Sequence, residues 1–318
     1  MRRALTRVGV VVCVAITLAV PASAHTESHE QESQPPNQPK PTRTAKQPPP
    51  PLFSKHRRGL YTNTEGLEVV DATPQSPPLE TDDPGVPDKG EYEINLTTHI
   101  NLAQDVKRID LLFVDANYGI APKFAGRELP TQLKFEFPVA AVTGKDSPFT
   151  AGIGAAKFGM KFNFYHNEYH GLSLSFYPQI EFAAPGMNSV RKGLAEPGQT
   201  VILPLLVLKE FKYVTFVANG AVNKAVNDPE RETTGTFGVG IGRALRRTYA
   251  AMIEVRSEST FDFQRDRLVI FNAGMLHGAG HRVVYVKVGR SLFADDGFAH
   301  TYLGVGLKVL IDPPARQP

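Results

Sequence analysis

The stretch EYEINLTTHINL, residues 91–102, decides the fold. Its even positions hold Tyr92, Ile94, Leu96, Ile100 and Leu102; its odd positions hold Glu91, Glu93, Asn95, Thr97, His99 and Asn101. Successive side chains of a β-strand point to opposite faces. The stretch therefore predicts a strand that is greasy on one face and polar or charged on the other. Two later stretches repeat the pattern. Phe158, Met160, Phe162 and Phe164 oppose Lys157, Lys161 and Asn163, and Leu172, Leu174, Phe176, Ile180 and Phe182 oppose Ser173, Ser175, Tyr177, Gln179 and Glu181.

Working outward, the same period-two texture runs from Glu91 to Ile311, interrupted by clusters of Gly, Pro, Asn and Asp. That combination is the signature of strands and turns. It predicts 12 strands, over 91–102, 108–119, 131–139, 154–166, 171–183, 200–209, 213–223, 235–243, 249–258, 267–277, 282–290 and 300–311. No stretch of more than a turn or two carries a helical period.

Several of these strands are long enough to cross a bilayer at a tilt, which takes about 9–11 residues; globular strands centre on about 5–6. The strand number is even, and the connections alternate. Those around Asn167-Glu168, Phe211-Lys212, Leu245-Arg246 and Gly278-Ala279-Gly280 are short, whereas Ala184 to Gln199 and Lys224 to Thr234 are long and polar. Aromatic residues gather near strand ends, among them Tyr92, Tyr118, Tyr165, Tyr213, Tyr249, Phe261, Phe263 and Phe293. All four features belong to barrels of the outer membrane. The expected fold is all-β: an antiparallel up-and-down transmembrane β-barrel of about 12 strands with a disordered N-terminal extension.

The ends set the compartment. Arg2, Arg3 and Arg7 precede an apolar run from Val8 to Val20, and Ala22-Ser23-Ala24 has the small-residue cleavage pattern, so residues 1–24 read as a secretory signal peptide. Cys13 lies inside it and is the only cysteine. The exported chain then has no thiol for disulfides, metals or nucleophilic attack. Residues 25–90, with PPNQPKP, QPPPP and TPQSPP, read as a Pro-rich disordered periplasmic tail. Residues 91–311 are the barrel, and 312–318 a short C-terminal tail. The net charge of +3 gives no reason to invoke nucleic acid.

Charge on a lipid-facing position near the midplane costs about 2–4 kcal/mol for Lys or Arg. Glu91, Glu93, His99, Lys134, Glu136, Lys157, Lys161, Glu181, Glu254 and Arg256 are accordingly expected to face the lumen, where near-equal numbers of the two signs predict weak ion selectivity. His166-Asn167-Glu168-Tyr169-His170 and His277-Gly278-Ala279-Gly280-His281 are the candidate metal-binding stretches. Imidazole suits Zn, Cu and Ni, but a polar turn is the simpler account of both pairs, so no metal is assigned. Ser173, Ser175 and His99 are available for hydrolysis, yet no motif positions a nucleophile, and no enzyme activity or cofactor is assigned. Gly238-Val239-Gly240-Ile241-Gly242-Arg243 superficially has a nucleotide-loop spacing. It sits in a strand with no helix after it, so it reads as a bend or a site of close packing.

Thr81-Asp82-Asp83-Pro84-Gly85 followed by Gly90-Glu91-Tyr92-Glu93-Ile94-Asn95-Leu96 resembles the start of a group of proteobacterial outer-membrane barrels, the "transporter" or MetA-pathway of phenol degradation-like family. Asp115-Ala116-Asn117-Tyr118-Gly119, Gln132 to Pro138, Gly152-Ile153-Gly154 and Lys157 to Phe162 continue the resemblance. It implies a barrel with a role in uptake of small hydrophobic molecules, and it brings no catalytic residues. The last strand, with Gly304, Leu307 and Val309, resembles a signal for the barrel assembly machinery, although Asp312 to Pro318 follow it.

The expected function is passive transport of small molecules through the outer membrane of a Gram-negative bacterium. The expected partners are outer-membrane lipid, the assembly machinery and a small-molecule substrate, with no nucleic acid. A structural or surface-interaction barrel with a plugged lumen stands as the alternative, and a soluble periplasmic β-sandwich binding a lipid-like ligand as a second.

Overall fold

A computed structural model describes residues 71–103, 106–144, 149–211, 213–226, 228, 230–246, 248–279, 281–295 and 300–312. The expected signal peptide, residues 25–70 of the expected tail, and residues 313–318 lie outside the described residues.

The chain forms the wall of a barrel from β1 (Tyr92–Leu102), β2 (Val106–Ile120), β3 (Thr131–Gly144), β4 (Thr150–Ile153 and Ala155–Asn167), β5 (Leu172–Phe176 and Gln179–Ala183), β6 (Gln199–Glu210), β7 (Thr215–Ala225), β8 (Thr234–Arg246), β9 (Tyr249–Thr260), β10 (Leu268–Ala279), β11 (Arg282–Ala294) and β12 (Thr301–Ile311). Each strand pairs antiparallel with its neighbours in sequence. β12 returns to β1 in unbroken register from Tyr92↔Ile311 to Leu102↔Thr301. The sheet is therefore single and closed, which removes its edges and rules out the two-sheet sandwich. β4 is interrupted at Gly154 and β5 at Tyr177-Pro178. The wall stays bonded there because Gly154 N–H donates to the Pro138 carbonyl (2.9 Å) and Met160 N–H to that of Pro178 (3.0 Å).

Both ends of the wall, the start of β1 and the end of β12, lie at one rim. That rim also carries the short connections 168–171, 211–214, 247–248 and 280–281. The exception is 121–130, which is stiffened by a ribbon of Lys123–Phe124 paired with Arg127–Glu128. The opposite rim carries the longer connections 184–198, 226–233 and 261–267. Across that rim Arg267 and Asp295 form an ion pair (2.9 Å), whose hydrogen bonds hold the Asp295 carboxyl below its usual range.

The alternation of the sequence becomes an outside and an inside. Tyr92, Leu96, Phe158, Phe176, Leu205, Ile253, Val255, Val284, Val286, Val288 and Val305 are exposed on the outer face. Glu93, Asn95, Thr97, Lys161, Asn163, Ser173, Ser175 and Glu254 are buried on the inner one. An apolar band of this extent is a liability in water and the expected surface in lipid. Exposed rings flank it: Tyr92, Tyr165, Phe211, Tyr213 and Tyr249 towards the rim of the termini, and Phe149, Phe261, Phe263 and Phe293 towards the other. Tyr92 and Tyr118 stack with centroids 4.5 Å apart. Among the described residues no helix is long and apolar enough to cross a membrane.

Residues 71–90 depart from the expected disordered tail. They run inside the barrel, and of residues 71–87 only Asp71, Ser76 and Glu80 are not buried. Ala72 and Leu79 pack with Ala250, Met252, Leu276 and Tyr285 of the wall into a small apolar cluster. With so few apolar residues the segment cannot make a core of its own. Its order comes from the polar and apolar partners that the wall presents to it.

Candidate functional site

The inner segment enters beside β8, where the inward positions Gly238, Gly240 and Gly242 leave a groove. A Cβ on Gly242 would lie 1.9 Å from the Ala72 carbonyl oxygen, one on Gly240 2.8 Å from Pro74, and one on Gly238 2.6 Å from the Thr81 hydroxyl. The glycine-rich stretch 238–242 is thus a seat for backbone. The segment leaves past Gly119, whose Cβ would fall 2.0 Å from the Asp88 carbonyl oxygen. There Gly90 N–H donates to the Gly119 carbonyl (2.8 Å) and Gly119 N–H to that of Glu91 (3.0 Å).

Between those points the wall grips the segment through polar groups. On β9, the buried Glu254 carboxylate accepts the backbone N–H of Glu80 (2.9 Å) and of Thr81 (2.7 Å), and Asn272 donates to it as well (2.5 Å). On β4, the Lys161 ammonium has no exposed surface. It donates to Asp82 Oδ1 (2.9 Å) and to the carbonyls of Asp83 (2.7 Å) and Gly85 (3.4 Å). Asn163 and Ser175 donate to the Pro84 carbonyl at 3.0 and 2.6 Å. Lys308 donates to Gln75 Oε1 at 2.6 Å. Lys287 pairs with Glu80, and its charge holds the Glu80 carboxyl well below the usual carboxylate range.

Among the side chains expected in the lumen, five form one run across β3, β4 and β5. Lys134 meets Glu136 (2.7 Å), Glu136 meets Lys157 (3.2 Å), and Lys157 approaches Glu181 (3.9 Å). Lys161 joins through Asp82, which lies 3.8 Å from Lys134. Glu254 and Arg256 stand apart on β9, Arg256 pairing with Glu258 at 3.2 Å. His99 lies on β1 with its ring 5.4 Å from that of Phe113. Glu93 pairs with Lys308 (3.4 Å), and Glu91 accepts the Asp88 N–H (2.8 Å) at the rim.

Sequence reasoning missed Lys287 and Lys308, although both lie on the polar phase of their strands. It also missed Glu80, Asp82 and Asp83, which it had placed in the tail. Tyr177 lies on the polar phase of its stretch and lines the lumen cavity. It is buried, with its ring 5.1 Å from the Lys161 ammonium and 5.9 Å from that of Lys134, a cation–π arrangement.

Above the segment, in the half of the barrel away from the termini, lies a cavity of about 540 Å³. Its floor includes Ser76, Pro77, Glu80 and Asp82 of the segment, and its walls include His99, Lys134, Lys157 and Tyr177. Six Lys or Arg and six Asp or Glu side chains line it, so its charge is balanced. The connection 184–198 packs on the wall nearby: Leu194 is buried against Gly152, and Arg108, which lines the cavity, donates to the Leu194 carbonyl (3.5 Å).

The residues weighed for metal or hydrolysis have other contacts. His277 packs on the Tyr249 ring (4.4 Å) and lies 3.1 Å from the Thr248 carbonyl, while His281 faces Asp312 (3.8 Å). His166 lies 4.0 Å from Glu168, and His170 stands edge-on to Tyr169. Among the described residues no three His, Cys, Asp or Glu side chains form a metal-sized group. Ser173 and Ser175 both accept from Asn163.

No protein-family model matches the sequence, and no curated protein does. Among solved structures, an outer-membrane channel from Pseudomonas putida F1 is similar over 70% of this chain and 96% of its own, with a TM-score of 0.58 and 14% identity. The KdgM porin, solved in complex with disordered oligogalacturonate, covers 68% of this chain and 98% of its own at a TM-score of 0.42 and 9% identity. The translocator domain of the autotransporter NalP from Neisseria meningitidis covers 70% and 89%, at 0.42 and 10%. The likeness to the Pseudomonas channel shows a shared barrel fold.

Proposed function

We propose that this protein is an outer-membrane barrel that passes small polar solutes, and that residues 71–90 hold its lumen shut until they move aside. The observation that carries the reading is the charged cavity of about 540 Å³ inside a closed barrel, floored by a segment that enters from one rim only. A filled core would need no such space, and a 12-stranded wall is wider than the kind that its own side chains fill. The termini and the short turns belong to the periplasmic side, as in other barrels of this construction, and the long connections to the outside. Lipid is then the partner of the outer face, and the assembly machinery the partner that inserts it.

The resemblance carried by Thr81 to Gly85 supports a transport role, and those residues form the turn that Lys161 holds. It suggests hydrophobic cargo. The charged lining favours polar cargo instead, because desolvating paired charges to seat an apolar molecule is costly. The alternative of a structural barrel with a permanently filled lumen draws on the same burial of residues 71–87.

Planar-bilayer recordings of the full-length protein and of Gly242→Val decide between them. The valine would collide with the Ala72 carbonyl and dislodge the segment. Channel events that are rare in the native protein and frequent in the variant support transport. Silence in both supports the structural barrel.

A further inference from the structure

The turn Asp82-Asp83-Pro84-Gly85 is held the way a bound ligand is held. We propose that Lys134, Lys161, Asn163 and Ser175 form a binding site for small acidic peptides and N-acyl amino acids, and that the chain's own turn occupies it as a built-in competitor. This deepens the channel reading, on which it rests, by naming the solute class that reaches the lumen.

Lys161 is at the centre of the site. An ammonium group offers three hydrogens, and in a site with no exposed surface each needs an acceptor. The turn supplies a carboxylate and two carbonyls: Asp82 Oδ1 at 2.9 Å, Asp83 O at 2.7 Å and Gly85 O at 3.4 Å. A second donor pair, Asn163 Nδ2 and Ser175 Oγ, converges on the Pro84 carbonyl at 3.0 and 2.6 Å. These three donor residues come from the rigid strands β4 and β5, and Lys134 from β3, so they stay in place when the turn leaves. What they recognise is a carboxylate next to successive amide carbonyls, which is the pattern of an acidic peptide.

The charge balance narrows the class. Lys134 Nζ approaches the second Asp82 oxygen at 3.8 Å, but it also faces Asp115 (3.4 Å) and Glu136 (2.7 Å). The site therefore carries little surplus positive charge, enough for a carboxylate and too little for a phosphate dianion. The Tyr177 ring lies against both ammonium groups and closes the site with an apolar wall. Access is built in, because Asp82, Lys134 and Tyr177 also line the cavity. A solute entering the cavity meets that end of the turn first. Its carboxylate replaces that of Asp82, and release of the turn follows from the same exchange.

The test uses the full-length protein in detergent, titrated calorimetrically with the acetylated, amidated peptide Thr-Asp-Asp-Pro-Gly and with its uncharged counterpart Thr-Asn-Asn-Pro-Gly. The acidic peptide binds and the neutral one does not. Because the turn competes for the site, the Asp82→Asn/Asp83→Asn variant binds the acidic peptide roughly tenfold more tightly, and Lys161→Met abolishes binding. Heat-dependent gel mobility confirms that each variant retains the barrel. No binding to either the native protein or the double variant overturns the site, as does equal binding of the two peptides. Conductance of Gly242→Val is recorded separately. Peptide binding with a silent Gly242→Val leaves the site standing and overturns transport, whereas a conducting Gly242→Val without peptide binding does the reverse.

Discussion

Glu254 Oε2, on the inner face of β9, accepts the backbone N–H of Thr81 at 2.7 Å with both groups buried. The other oxygen of the same carboxylate accepts from Glu80. One wall side chain thus caps two successive amides of a segment that has no regular structure of its own.

Glu254→Ala removes the acceptor from both amides and leaves that of Thr81 buried. A hydrogen bond to a charged group contributes about 1.5–3 kcal/mol, so the segment opens far more often. Hydrogen exchange at the Glu80 and Thr81 amides speeds up in the variant, while amides of β1 and β12 keep their protection. Unchanged exchange at 80 and 81 would remove Glu254 as a latch.

Lys161→Met removes the nearer of the two buried cations that face Asp82, at 2.9 Å against 3.8 Å for Lys134. Removing one partner of a buried pair costs about 3–5 kcal/mol. Proteolysis between residues 71 and 90 accelerates accordingly. Adding Asp82→Asn and Asp83→Asn to Lys161→Met restores part of the resistance, because the stranded charges are gone. No recovery in the triple variant would mean that the contact is not electrostatic.

Val286 is half-exposed on the outer face of β11, while its neighbour Lys287 is buried inside. Val286→Arg lowers the folding free energy into lipid vesicles by about 2–4 kcal/mol, the midplane cost of arginine on a lipid face. A denaturant titration of vesicle-folded protein measures it. An unaffected midpoint would show that this face does not meet hydrocarbon.

With six basic and six acidic side chains around the cavity, the open channel discriminates little between cations and anions. A potassium chloride gradient across a bilayer holding Gly242→Val gives a reversal potential near zero. Lys157→Gln shifts it towards cation preference. A strongly selective Gly242→Val would mean that the cavity charges do not line the conducting path.

The wall was legible in the sequence because period two is a local property: Tyr92 to Leu102 shows its two faces with no knowledge of neighbouring strands. Glu93, Lys161 and Glu254, which are buried, lie on the polar positions of that same phase. Asp82 and Asp83 were not legible. Pro74, Pro77, Pro78, Pro84 and Pro87 give their segment the composition of a disordered linker, and nothing local distinguishes it from residues 25–70. What orders it lies some 70 to 170 residues away, in Lys161, in Glu254 and in the missing side chains of Gly238, Gly240 and Gly242. Those glycines were visible as a packing feature, but the partner they receive was not.

The inner segment is a hairpin: Ala72 lies against β8 and Gly90 against β2, and the residues between them double back at mid-height. Both of its ends therefore emerge at the rim where β1 starts. Inserting or withdrawing it requires no chain end to be threaded through the barrel, and no strand of the wall to unpair. The barrel can be sealed first and filled afterwards, and it can be emptied and refilled many times without passing through a knot.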